Sequence, residues 1–233
     1  LLQNVTIPAS SGFGQMMFNS GNVTNEGLEF TLNYAVLTKT PLKWNISANL
    51  AMNRNRIGGL DGDQYATALW SKADQMYLQR NGCPIGTIFG YVEDGFYDNI
   101  AEVRSFKEYA KLSDREALKH VGEIKYRDLN GDGYITEKDR TIIGNTNPDF
   151  TSNLSWKNFN LSFMLQGSQG NDIFNYNLTD IQMANIGNIT VDAYNSRWTP
   201  ETAATAKWPK ATAGYTRTWL MSDRFIENGS YLK

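Results

Sequence analysis

The chain of 233 residues has one cysteine, Cys83, and one histidine, His120. A single cysteine excludes an internal disulfide and any multi-cysteine zinc site. A single histidine excludes a His-rich metal site and argues against a Ser/His/Asp triad. Lys plus Arg number 22 and Asp plus Glu 24, a formal net charge of −2, with no basic block to neutralise phosphates. Nucleic acid is therefore not an expected partner. No stretch approaches the ~18 consecutive apolar residues of a spanning helix. The GxSxG and HExxH motifs, the phosphate loop and the dinucleotide fingerprint are all missing. Glu93 and Asp94 are adjacent, and neighbours on a strand point to opposite faces, so they do not form a facing carboxylate pair. The chain is not expected to be an enzyme. Hydrophobic residues make up 41% and aromatics 12%, enough to exclude a disordered chain. Mean hydropathy is −0.46. Residue 1 is Leu, with no charged or apolar leader after it, so the sequence reads as an excerpt or a processed chain.

What is present is alternation. Leu28, Phe30, Leu32, Tyr34 and Val36 fall on one face, with Glu29, Thr31, Asn33 and Ala35 on the other. After the Lys39-Thr40-Pro41 break, Leu42, Trp44, Ile46, Ala48, Leu50 and Met52 oppose Lys43, Asn45, Ser47, Asn49 and Asn53. Period two over such length predicts β-strands, and the proline suits the turn between them. The pattern returns with Phe150, Leu154 and Trp156, then with Leu161, Phe163 and Leu165 past a turn near Asn158. The resulting division is 1–22 as a loop end, 23–57 as a hairpin and 58–147 as a long loop. A second hairpin at 148–168, a second long loop at 169–230 and the start of a strand at 231–233 follow. Within the first loop a helical piece is predicted from Phe106 to Lys119, with Ser113 and Glu116 as a capping box.

Short turns at one strand end and long loops at the other are the layout of a transmembrane β-barrel. The predicted fold class is all-β: a fragment of a large antiparallel transmembrane β-barrel, with long extracellular loops carrying a short helix. Tyr34, Trp44, Trp156 and Phe159 lie near the short-turn end, where an aromatic girdle belongs. The same alternation also fits a soluble antiparallel sandwich. The competing reading is thus a soluble, calcium-stabilised carbohydrate-binding β module.

The sharpest local motif is the twelve-residue stretch Asp128–Asp139, which matches a calcium loop. Oxygen ligands fall on Asp128, Asn130, Asp132, Thr136 and Asp139, with the Tyr134 backbone carbonyl between them. Gly133 takes the sharp-turn position and Ile135 the apolar anchor. Asp139 replaces the usual bidentate Glu, and its shorter reach weakens calcium or favours a smaller ion. Extended residues flank the loop (Val121, Ile124, Tyr126, then Thr141 to Ile143), which predicts a structural site rather than a sensor. A string of Asx turns without metal is the alternative. Trp198, Trp208 and Trp219 in the second loop are candidate sugar-stacking residues, or packing for a large loop. His120 and Cys83 are read as non-ligand loop residues. The recurrent Asn-x-Ser/Thr triplets follow from strands rich in those residues rather than from glycosylation.

Several segments, in order, resemble one family. They are Asn25-Glu26-Gly27-Leu28-Glu29, Pro84-Ile85-Gly86, and Gly90 to Tyr97. Val121 to Asp128 with the calcium-type loop comes next, then Ile143-Gly144-Asn145 and Asn147-Pro148-Asp149-Phe150. Gly167 to Asn175, Arg197-Trp198-Thr199-Pro200 and Ser222 to Leu232 complete the set. Together they resemble the C-terminal part of the SusC/RagA-type TonB-linked outer-membrane proteins of Bacteroidetes. That resemblance implies a plugged barrel in the outer membrane, surrounded by its lipid and driven by the TonB complex through an N-terminal region outside this sequence. It implies a SusD-type surface lipoprotein as partner, and glycans or peptides as imported substrate.

Overall fold

The computed structural model describes residues 2–6, 8–19, 21–37, 44–66, 76–145, 150–158, 161–178, 188–211 and 220–233. The strands, in order, begin with β1 Leu2–Thr6, β2 Gln15–Asn19, β3 Asn22–Leu37, β4 Trp44–Gly58 and β5 Gln64–Ala66. Next are β6 Tyr77–Gln79, β7 Thr87–Gly90, β8 Glu93–Phe96, β9 Ile124–Tyr126 and β10 Thr141–Asn145. Last come β11 Phe150–Asn158, β12 Leu161–Gln169, β13 Asp172–Phe174, β14 Ile226–Asn228 and β15 Tyr231–Leu232. Short helices among the described residues include α1 Ile100–Ser105, α2 Asp114–His120 and α3 Val191–Asn195. The chain forms two compact units: 1–87 with 145–173 and 228–233, and 88–144 with 174–227.

The first unit is built on an antiparallel sheet in the order β15-β12-β11-β4-β3. Its register follows from the alternation. Leu28 pairs with Met52, Phe30 with Leu50, Leu32 with Ala48 and Tyr34 with Ile46. Leu154 continues the Leu32–Ala48 row and pairs onward with Leu165; Trp156 continues the Tyr34–Ile46 row and pairs with Phe163. A one-residue slip would move every apolar residue to the other face, so the pattern specifies the pairing. β3 and β15 are the two edges, and the described strands do not close a barrel. The turn expected at 39–41 lies outside the described residues; of the one expected at 157–160, Lys157 and Asn158 end β11 and 159–160 lie outside the described residues. Residues 58–87 cluster with the sheet rather than with the rest of the first long loop. There β5 pairs with β6, and Arg80 holds Asp63 at 2.6 Å.

The second unit has two apolar clusters. One gathers Tyr91, Ile124, Tyr126, Ile135 and Phe225; the other gathers Tyr97, Val103, Ala117, Val121 and Trp198. β8 pairs with β9, and Tyr91 bridges to Ser222. Gly122 shows how tightly the second cluster closes. Its φ is +85°, and a Cβ there would lie 2.5 Å from the Trp198 ring. The helix expected over 106–119 is shorter. Ser113 takes extended backbone and caps α2, its hydroxyl accepting from the Glu116 N–H while the Glu116 side chain returns to the Ser113 N–H. An N-cap is non-helical, so the box that starts α2 stops any helix from running through it. Residues 106–112 form turns instead, with Tyr109 N–H bonded to the Phe106 carbonyl and Leu112 N–H to that of Tyr109. α1 precedes them, capped by Asn99.

Candidate functional site

Three places carry the chemistry of the chain. The first is the wall of the sheet. Leu28, Phe30, Leu32 and Tyr34 leave between 45% and 76% of their surfaces open. Met52 and Leu165, in the same rows, are also exposed. Apolar rows this open are not the inner face of a sandwich, which would bury them. From Leu28 to Tyr34 the strand advances about 20 Å, close to the apolar band of about 25 Å on a membrane barrel. At one end the band stops at charge: Arg54 pairs with Glu26, and Arg56 with Thr24. Register puts polar residues on the opposite face. Thr31 pairs with Asn49, which pairs with Asn153 and onward to Gln166; Asn33 and Ser155 flank Ser47.

The second place is the Asp128–Asp139 loop, where side chains and backbone close on one another. Asp128 accepts from the Gly131 and Gly133 N–H groups, both at 2.7 Å. Asn130 accepts from the Asp132 N–H, and Asp132 from that of Tyr134, both at 2.8 Å. Asp139 is fully buried. One of its oxygens accepts from the Leu129 and Asn130 N–H groups, the other from the Thr136 N–H and hydroxyl. Gly133 has φ +85°, as its sharp-turn position requires. Ile135 is buried in the first apolar cluster and anchors the loop. The Gly133 and Gly131 N–H groups hold the Asp128 carboxyl below the usual carboxylate range. Lys107 crosses the loop: its N–H meets the Gly133 carbonyl at 2.8 Å and its ammonium the Asp132 carbonyl at 2.5 Å.

The donor chemistry, all oxygen with three carboxylates, suits a hard divalent cation. Among the described residues, however, no three His, Cys, Asp or Glu side chains converge as a metal-holding group. The carboxylates turn to backbone N–H groups instead.

The third place was not expected from the sequence. Arg224 donates to the Glu93 carboxylate and to the Lys207 carbonyl, with the Phe96 and Trp208 rings each 5.3 Å from its guanidinium. Burial raises the Glu93 carboxyl, and the Arg224 hydrogen bond opposes that only in part. Trp208 is thus half-buried in packing with Arg224. Trp198 is 7% exposed, and its indole N–H reaches Asp98 at 3.3 Å. A ring enclosed this far presents no open face to a sugar. Trp219 lies outside the described residues.

Over its whole length the chain is 31% identical to TonB-dependent receptor P26 of Formosa agariphila. It is 29% identical, again over its whole length, to TonB-dependent receptor SusC of Bacteroides thetaiotaomicron. The chain belongs to the SusC/RagA-type TonB-dependent receptors. It spans about a quarter of the length of these relatives, 23% of P26 and 22% of SusC. No family model matches this SusC/RagA-type chain. Its fold matches the RagAB peptide transporter with a TM-score of 0.68 and 15% identity, covering all of this chain and 24% of that one. The same importer in its open-open state matches at 0.65. The fold is therefore part of a large TonB-dependent receptor barrel, mostly strand with few helices. Two features of this SusC/RagA-type chain had a signal in the sequence that alternation alone did not use. Asn99 followed by Glu102 marks the start of α1, and Arg54 with Arg56 marks where the apolar face ends.

Proposed function

We propose that this chain supplies wall strands and surface loops to a TonB-dependent importer in the outer membrane. The observation that carries this reading is the open apolar face of the sheet, with neutral polar register positions behind it. Such a face is stable against acyl chains, and the polar face suits a solute path. The task is transport rather than catalysis. Glycans or peptides are the substrate class, a SusD-type lipoprotein the surface partner, and the TonB complex the energy source. RagAB is named a peptide transporter, which supports the peptide arm.

Side-chain direction supplies the test. In the whole receptor, Leu32→Arg places a charge in the band, at a cost of about 2–4 kcal/mol near the bilayer midplane. Thr31→Arg places the same charge on the opposite face. Leu32→Arg is expected to abolish the folded receptor in outer-membrane fractions, while Thr31→Arg assembles. Equal assembly of both variants would refute the wall reading.

The Asp128–Asp139 loop is proposed as a structural calcium site that stiffens residues 121–144. Asp128, Asn130, Asp132, Thr136, Asp139 and the Tyr134 carbonyl are its ligands. Supporting it are the oxygen-only donor spacing and the anchor at Ile135. Calorimetry at millimolar calcium should give binding heat that Asp128→Ala removes; no heat in the unmodified receptor would sink the site.

A further inference from the structure

We infer that the loop-side end of β3 and β4 is a binding site for a phosphate-bearing lipid headgroup. The inference rests on the wall reading above, because it places the ligand at the rim of the apolar band. One depression is lined by Glu26, Leu28, Met52 and Arg54 among others, and a second by residues that include Arg54 and Arg56. Arg54 lines both. The surface therefore passes from apolar to cationic along one strand. Arg54 and Arg56 stand two residues apart, on the same face as Leu28 and Met52. Both side chains are exposed.

Charge decides the ligand. Glu26 is the register partner of Arg54, and Thr24 that of Arg56, so these two rows keep one net positive charge. Among the described residues neither guanidinium is engaged in a salt bridge. Two guanidinium forks on one face match the several acceptor oxygens of a phosphate. The apolar side of the groove matches the acyl chain that such a headgroup carries. A free anion would use only the upper part, whereas a lipid uses both. Basic side chains just above an apolar band also attract anionic headgroups at about 1 kcal/mol each.

The whole receptor in detergent, examined by native mass spectrometry with diphosphoryl lipid A, tests the site. Phosphatidylcholine serves as the zwitterionic control and inorganic phosphate as competitor. Lipid A is expected to be retained over phosphatidylcholine. The double variant R54Q/R56Q should lower its retention roughly ten- to thirty-fold. Inorganic phosphate at matched concentration should displace it poorly, because the acyl contribution is missing. Equal retention by the variant, or equal retention of phosphatidylcholine, overturns the site; ready displacement by inorganic phosphate shows an anion site and overturns the lipid assignment. A fluorophore on Phe30→Cys separates the two readings. Quenching by brominated lipid with unchanged retention in R54Q/R56Q removes the headgroup site alone. No quenching removes the wall reading and the headgroup site with it.

Discussion

At the scale of single residues, the second unit is held by groups that have little freedom to change. Gly122 combines a left-handed backbone with a Trp198 ring where a side chain would be. Gly122→Ala should cost roughly 2–4 kcal/mol, the sum of strained φ and overpacking. Hydrogen exchange over 119–124 and 197–210 is the measurement that registers it. Asp139 is buried and satisfies three backbone N–H groups. Asp139→Ala leaves those donors without an acceptor and should cost about 3 kcal/mol. Asp139→Asn keeps one acceptor oxygen and should fall between the two, read as protection of Leu129, Asn130 and Thr136 amides.

Arg224 and Glu93 give a prediction with a pH sign. Arg224→Ala leaves the Glu93 carboxylate buried without its partner, a loss of about 3–5 kcal/mol at neutral pH. Burial already raises the Glu93 carboxyl, so the folded state binds its proton more tightly than the unfolded chain does. Stability from this group is present at low pH and is lost as pH rises through its folded value. The Arg224→Ala variant should therefore regain protection over 91–97 on acidification. Asp128 has the opposite sign. Backbone N–H groups hold its carboxyl low, so its contribution is present at neutral pH and is lost as pH falls through the lowered value. Loop amides Gly131 and Gly133 should lose protection in acid, where the Arg224→Ala variant gains it at 91–97.

At the scale of elements, what was legible depended on how local the cause was. β3 and β4 were readable because alternation over a long strand has one interpretation, and the register pairs follow from it. α2 is readable from Ser113 and Glu116, but a helix begun at Phe106 would have to run through Ser113, whose N-cap backbone is extended. The short strands β7 and β8 have no alternation long enough to announce them, whereas β9 and β10 coincide with the extended flanks read on either side of the Asp128–Asp139 loop. Their partners come from distant residues, as in the Tyr91 to Ser222 bridge. The ligand pattern of the Asp128–Asp139 loop was legible because its spacing is local. The Glu93–Arg224 pair was not, since 131 positions separate the two residues. Trp198 illustrates the limit for aromatics: composition favours a packing ring over a binding platform without deciding between them, and packing against Gly122 separates them.

At the scale of the whole molecule, low hydropathy and membrane contact are compatible. A barrel wall presents only every second residue to lipid, so the alternate polar residues lower the average. No helix among the described residues is long and apolar enough to cross a membrane, which leaves strands free to do so. The open apolar rows of β3 and β4 carry the proposed placement against lipid. Labelling β3 residue by residue tests that placement most directly, with single cysteines from Leu28 to Tyr34 in the whole receptor and Cys83 replaced by Ser. A lipid-facing wall predicts that labels at 28, 30, 32 and 34 are quenched by lipid-borne bromine and hidden from a water-soluble thiol reagent, while 29, 31 and 33 behave in reverse. Uniform reaction along the strand, or water access at Phe30 and Leu32, would contradict it.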